Sequence, residues 1–291
     1  MVSFAQNLLN GLLIGGVYAL TGIGLALIFG VMRVINFSHG EFLVIGMYAA
    51  LALFTGFQLD PYLSLLIILP LGFAFGWLIE RFILSLLVDA PADSSLLATL
   101  GLALIIQNAL QLRFGAEPQS LYVPYATATV QLGEITLSVI QLLAASLILI
   151  VIVGLFIFLT WTEQGKAVRA TAQNRLGAEL VGINTLAIRR FTFGFGTMLA
   201  FAAGIILIPQ LSVTPVITGP AFTLKAFVVT VLGGLGNVWG AIAGGLLLGV
   251  TEVLGASYIS NNYRDAYGLI AFLFILLLRP QGLFGKLVQR V

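Results

Sequence analysis

Apolar runs of about twenty residues alternate with short polar intervals along nearly the whole chain, and runs of that length predict membrane-crossing helices. The first covers residues 7–30 and carries Gly11, Gly15 and Ala19 at every fourth position. That spacing puts small side chains on one helix face, where two backbones can come close. The interval VMRVINFSHGEF follows, with Arg33, Asn36, Ser38, His39 and Glu41. Further runs lie at 41–54, 61–81, 94–111 and 136–160, the last ending at Trp161, an aromatic suited to a membrane interface. A sixth, at 191–209, repeats the small-residue ridge with Gly196, Ala200 and Gly204.

Residues 225–255 depart from this rhythm. They form an apolar stretch of about 31 residues, longer than the ~20 that one crossing needs. GGLGN interrupts it, and each glycine disfavours helix by ~1 kcal/mol relative to alanine. Two short half-helices are expected to meet at Gly233, Gly234, Gly236 and Asn237. Such breaks are tolerated where they are buried in protein or line a water-filled cavity. A final run at 266–278 is closed by Arg279 and Pro280, and a basic tail with Lys286 and Arg290 follows. The pattern predicts an all-α polytopic membrane protein of about eight transmembrane helices, including a glycine-broken or re-entrant segment. It is read as one domain over residues 1–291.

Composition supports the same class. The chain is 60% apolar and 8% charged, whereas ordinary globular chains carry roughly 25% charged residues. A net charge of +2 is too small to point to nucleic acid. Cysteine is absent, which excludes disulfides and thiolate-held metals. No charged residue occurs in the first 32, so the basic leader of a signal peptide is missing and the first run is expected to remain as a span.

The basic residues are concentrated. Lys166, Arg169, Arg175, Arg189 and Arg190 lie in the interval 161–190, which the positive-inside rule places in the cytoplasm. Alternation then puts the N-terminus outside and the C-terminus inside, provided that the glycine-broken segment begins and ends on the outer side. Residues 165–173 suit a short helix. Ala178, Leu180 and Val181 form a small apolar edge, Gly182 is a good terminator, and Asn184 can cap the helix leading to Arg189. A cytoplasmic helix with an apolar edge is best explained by a partner with a groove.

Several residues are candidates for chemistry. Ser38 and Glu41 have capping-box spacing, whereas Asn36 and His39 are alternatively read as lining a polar constriction of a pathway. Glu252 lies inside an apolar run and needs a partner, for which Lys225 and Arg264 are candidates. Glu80 and Arg81 read as an interfacial pair. Gly233–Asn237 lacks the Lys and Ser/Thr of a phosphate-binding loop. With one histidine, a Ser–His–Asp or two-histidine zinc centre is not expected, nor is any cofactor.

The stretches GVMRVINFSHGEFLVIGMY, GKAVRATAQNRLGAELVGIN, KAFVVTVLGGLGNVWGAIAGGLLLGVTE and LRPQGLFGK together resemble the permease subunits of bacterial high-affinity branched-chain amino-acid ABC importers, the LivH/LivM family. The resemblance implies a transport subunit of the cytoplasmic (inner) membrane for leucine, isoleucine and valine. Its implied partners are a second homologous permease, two ATP-binding cassette subunits that hydrolyse the ATP, and an extracytoplasmic binding protein. Gly165, Arg169, Ala170, Ala178 and Gly182 would belong to the coupling element. Asn36, His39, Gly233, Gly234, Gly236, Asn237 and Glu252, read from the residues themselves, are the candidates for the pathway or gate. Same-family permeases for urea or short amides share these blocks, and a proton-coupled carrier working through His39, Glu41 or Glu252 is the competing class.

Overall fold

The computed structural model describes residues 2–88, 90–132 and 135–285. Eight helices among these are long and apolar enough to cross a membrane. They are α1 (Val2–Met32), α2 (His39–Phe57), α3 (Leu65–Phe82), α4 (Ala92–Phe114), α5 (Val139–Trp161), α8 (Thr185–Leu207), α9 (Pro215–Gly233) and α10 (Val238–Tyr258). Two short helices, α6 (Glu163–Gln173) and α7 (Arg175–Leu180), form the basic interval, and α11 (Arg264–Leu278) closes the described chain. The predicted all-α polytopic class therefore holds.

The centre of the bundle is built from α1, α2, α8, α9 and α10. Leu20, Ile23, Ile28, Phe42, Phe193 and Ile205 are among its fully buried side chains. By contrast α3, α4, α5 and α11 leave Leu66, Ile105, Leu149 and Leu277 exposed, as suits helices bordered by lipid rather than water. The ridge of small residues on α1 meets a matching one on α10. A Cβ added at Gly249 would lie 2.4 Å from the Gly15 Cα, and one at Gly245 would lie 2.3 Å from the Ala19 amide. These backbones touch because only glycines and the Ala19 methyl stand at these contacts.

Four expectations need correction. The break at 233–237 does not join two short half-helices. It is the turn of a hairpin between helices of 19 and 21 residues, each about 30 Å long and sufficient to cross. Gly234 and Gly236 take φ values of +100° and +80°, which a side chain would strain. Conversely α11 has only 15 residues and is shorter than a full crossing. The fifth span begins at Val139, because Thr136 belongs to an antiparallel hairpin of β1 (Thr129–Leu132) and β2 (Ile135–Ser138). Its alternating Ile-Thr-Leu-Ser pattern is strand-like, and the Gln6 side chain fastens it by bonding both the Thr136 carbonyl and amide. Lastly, Lys286 and Arg290 of the basic tail lie outside the described residues.

The fourth correction concerns the interval after α1. The hydropathy pattern reads it as a connection between two spans. Instead residues 33–38 turn back along α1, so that α2 begins beside Thr21, roughly 16 Å up the helix from Met32. Arg33 makes the turn with φ of +58° and stays exposed.

Candidate functional site

The returning segment brings polar side chains into the bundle. Asn36, Ser38, His39 and Glu41 are all buried. The capping box does not form: Ser38 is the N-cap of α2 but makes no side-chain cap bond. Its hydroxyl donates to Asn36 Oδ1 at 2.7 Å, and its amide donates to the same oxygen at 3.1 Å. The Gly40 amide is satisfied by Thr223 Oγ1 of α9 at 2.9 Å. Glu41 reaches across to α4 and accepts from Gln107 Nε2 at 2.8 Å. A Cβ at Gly40 would strike the Gly219 carbonyl, and one at Gly219 would strike the Glu41 carboxylate. Those two glycines let α2 and α9 close around the acid.

Beside these groups lies a cavity of about 400 Å³ between α1, α4 and α9. Asn36, Glu41, Gln107 and Thr223 are the polar residues of its wall. The remaining wall is apolar, including Leu25, Ile35, Leu100 and Phe227. His39 lines no described cavity. Its Nε2 lies 2.9 Å from the Thr21 carbonyl and its ring packs against Gly24. Of the two residues expected at the constriction, Asn36 faces a cavity and His39 turns into α1. Glu41, Gln107 and Thr223 share that cavity's wall, and no spacing in the sequence announces them as lining residues.

Glu252 meets the partners expected of it. Lys225 Nζ is 2.7 Å from Glu252 Oε1, and Arg264 Nε is 3.8 Å from Oε2. Tyr18 donates to Oε2 at 2.8 Å, while Asp265 gives Lys225 a second carboxylate at 2.8 Å. The Lys225 ammonium also sits 4.5 Å from the centre of the Tyr18 ring, a cation–π contact. This network borders a cavity of about 540 Å³, whose wall includes Gln141, Gln210, Lys225, Arg264 and Asp265. Ala126 and Ser138 of the α4–α5 connection form part of the same wall.

Gly233, Gly234, Gly236 and Asn237 line neither cavity. Asn237 caps α10 by accepting from the Gly240 amide at 3.0 Å, and its Nδ2 donates to the Phe284 carbonyl at 3.1 Å. The Leu283 amide completes this tie by donating to the Leu232 carbonyl. The turn is thus pinned to the segment after α11.

The basic interval is a folded platform. Thr162 caps α6 through the Gly165 amide, and a Cβ at Gly165 would strike the Phe158 carbonyl, so Gly165 allows α6 to fold sharply off α5. Val168 and Thr171 are buried against the bundle, whereas Arg169 is exposed and Ala170 half-buried. Gly182 ends the platform with φ of +85°. Asn184 then caps α8 by accepting from the Ala187 amide. The apolar edge differs from expectation: Ala178 is 3% exposed and packed inward, while Leu176, Leu180 and Val181 project outward. Glu179 is held below the usual carboxylate range by the Thr185 hydroxyl and then by the Arg175 guanidinium.

Glu80 and Arg81 do not pair. Glu80 is buried at the base of α3 and meets Arg189 at 3.3 Å and Arg190 at 3.5 Å, anchoring the start of α8. Arg81 lies over the Trp77 ring instead.

Residues 7–278 match the family described as "Branched-chain amino acid transport system / permease component". The high-affinity branched-chain amino acid transport system permease protein LivH of Salmonella typhimurium is 29% identical, over 97% of this chain and 96% of its own length. The corresponding BraD permease protein of Pseudomonas aeruginosa is 32% identical over the same shares. A probable branched-chain amino acid transport permease protein LivH of Methanocaldococcus jannaschii is 27% identical, over 96% of this chain and 92% of that protein. No solved structure matches.

Proposed function

Since the chain belongs to the family of permease components of branched-chain amino acid transport systems and is a multi-pass protein of the inner membrane, we propose that it is the translocating subunit of an ABC importer for leucine, isoleucine and valine. In this reading residues 1–291 are one permease domain. Its coupling segment, 161–190, faces the cytoplasm, the N-terminus lies outside and the C-terminus inside. The α9–α10 hairpin contributes two crossings, and the stretch from α11 to Leu283, whose amide is tied to Leu232 beside that hairpin's turn, makes the last return to the inner side.

The observation that carries the reading is the platform of α6 and α7. It is fixed to the bundle by buried Val168 and Thr171, yet it projects Leu176, Leu180 and Val181 away from it. Apolar side chains held rigidly outside a membrane protein gain most when a partner covers them. An ATP-binding cassette docked there would transmit its closure through α6 into α5 and α8. Two cassettes and a second, similar permease would complete the transporter.

The cavity beside Asn36 and Glu41 is the pathway element of this proposal. Its rim residues Phe37, Leu100 and Leu224 are partly exposed, so the cavity has an open side. A carboxylate facing lipid tails is unfavourable, and a second permease packed on this side would shield it. The cavity beside Lys225 and Arg264 lies toward the β hairpin and is the mouth at which an extracytoplasmic binding protein would release substrate. ATP-driven alternation would open the two in turn.

Leu180→Arg tests the docking. The transporter, assembled in proteoliposomes with its cassettes and binding protein, should lose at least tenfold of its substrate-stimulated ATP hydrolysis while this chain still inserts. Unchanged stimulation would remove the platform from the coupling path.

A further inference from the structure

Two polar atoms on residues that line the cavity beside α2 have no partner. Asn36 and Glu41 are each 1% exposed, and both line the cavity. Among the described residues, Asn36 Nδ2 and Glu41 Oε2 make no hydrogen bond. The orientation of the Asn36 amide is fixed chemically. The Ser38 backbone amide can only donate, so the Asn36 atom receiving it is the oxygen. The Nδ2 on the other side of the group is left as a free donor. Glu41 is likewise held: Gln107 binds Oε1, and the carboxylate packs on Gly219. Its Oε2 remains a free acceptor.

No lysine or arginine is among the residues lining this cavity. One wall therefore carries an acid without a cation beside an amide donor without an acceptor. The rest is hydrocarbon, and the volume of about 400 Å³ lies near the small end of ligand sites, which span ~300–1,000 Å³. Buried polar atoms left unpaired are unfavourable, and a ligand that supplies both missing partners would relieve this.

We propose that this cavity binds an aliphatic α-amino acid as its zwitterion, the ammonium donating to Glu41 Oε2, the carboxylate accepting from Asn36 Nδ2, and the side chain lying toward Leu25, Leu100 and Phe227. This rests on the transport reading above and names the recognition inside it. It also separates ligand classes. Urea and short amides carry no ammonium, so they leave the Glu41 charge unpaired and are disfavoured. A site that holds a ligand through a charged hydrogen bond discriminates strongly against analogues lacking that group.

The test is binding of radiolabelled leucine to the purified full chain in detergent, without the binding protein, competed by 3-methylbutylamine, 4-methylpentanoate or urea. The amine should compete and urea should not. Glu41→Gln preserves shape and should weaken leucine and the amine at least tenfold. Asn36→Asp keeps an acceptor for Ser38 but turns the donor into a negative oxygen. It should weaken leucine at least tenfold while leaving the amine bound at least as well, a split that general loss of structure does not produce. Ala103→Phe fills the cavity from α4 and should abolish binding of both without touching the polar groups. Leucine binding within twofold of wild type in Glu41→Gln overturns the proposal, as does parallel loss of leucine and amine in Asn36→Asp. Absence of binding to the wild-type chain, with import by the assembled transporter intact, overturns the site and leaves the transport reading in place. Glu41-dependent binding without ATP-dependent import by the assembled transporter overturns the transport reading and supports the site.

Discussion

Replacing Lys225 by methionine keeps most of the side-chain length and removes the ammonium. The Glu252 carboxylate, 2% exposed in its side chain, would then hold only the Tyr18 hydroxyl at 2.8 Å and Arg264 at 3.8 Å. Removing one member of a buried ion pair costs about 3–5 kcal/mol, because the other charge stays buried without compensation. In large domains each kcal/mol moves Tm by about 2–4 °C, so a fall on the order of 10 °C is expected. Glu252→Gln should cost less, since Lys225 keeps Asp265 at 2.8 Å and Tyr18 at 3.0 Å. The double variant Lys225→Met/Glu252→Met removes both charges and should regain more than half of the loss. Intrinsic-fluorescence melting of the detergent-solubilised chain at one scan rate measures all three. A Lys225→Met melt within about 2 °C of wild type would refute the reasoning, as would a double variant less stable than either single one.

Two further outcomes are expected. Glu179 has a lowered pKa in the folded chain, so its bonds to Thr185 and Arg175 stabilise α7 above the ordinary carboxylate pKa of about 4.3 and are lost as pH falls through the depressed value. Hydrogen exchange should show α7 protection declining on acidification in the wild type but not in Glu179→Gln; equal decline in both would remove Glu179 from the effect. Single cysteines at Thr127 and Val181, both exposed, should react with impermeant maleimide from opposite sides of the membrane, Thr127 from outside. The reverse pattern would invert the proposed orientation.

The spans were legible because each is a continuous apolar run, and the small-residue ridges were legible because their spacing follows the helix repeat. Asn184 and Gly182 were readable for a local reason: capping and left-handed termination involve residues within one turn. What could not be read joins distant parts of the chain. Glu41 meets Gln107, Glu80 meets Arg189, and the depth of residues 33–38 depends on the contact between Gly40 and Gly219. None of these pairs has a spacing to announce it. The length of the two arms around GGLGN was a matter of where α9 begins. Pro215, at the first turn of that helix, was a signal that could have placed its start ten residues before Lys225. The inward side that Ala178 takes on α7 is not legible in the sequence, because six residues are too few for helical phase to be read from composition. The β hairpin escaped notice because four-residue strands of alternating pattern adjoin a much stronger apolar run.

The claim that this chain moves branched-chain amino acids under the control of ATP is tested most directly by uptake. Radiolabelled leucine should enter proteoliposomes holding the assembled transporter and its binding protein only when ATP is supplied on the cassette side. Isoleucine and valine should compete, and urea should not. Leucine uptake by this chain alone, driven by a proton gradient and indifferent to ATP, would contradict the account.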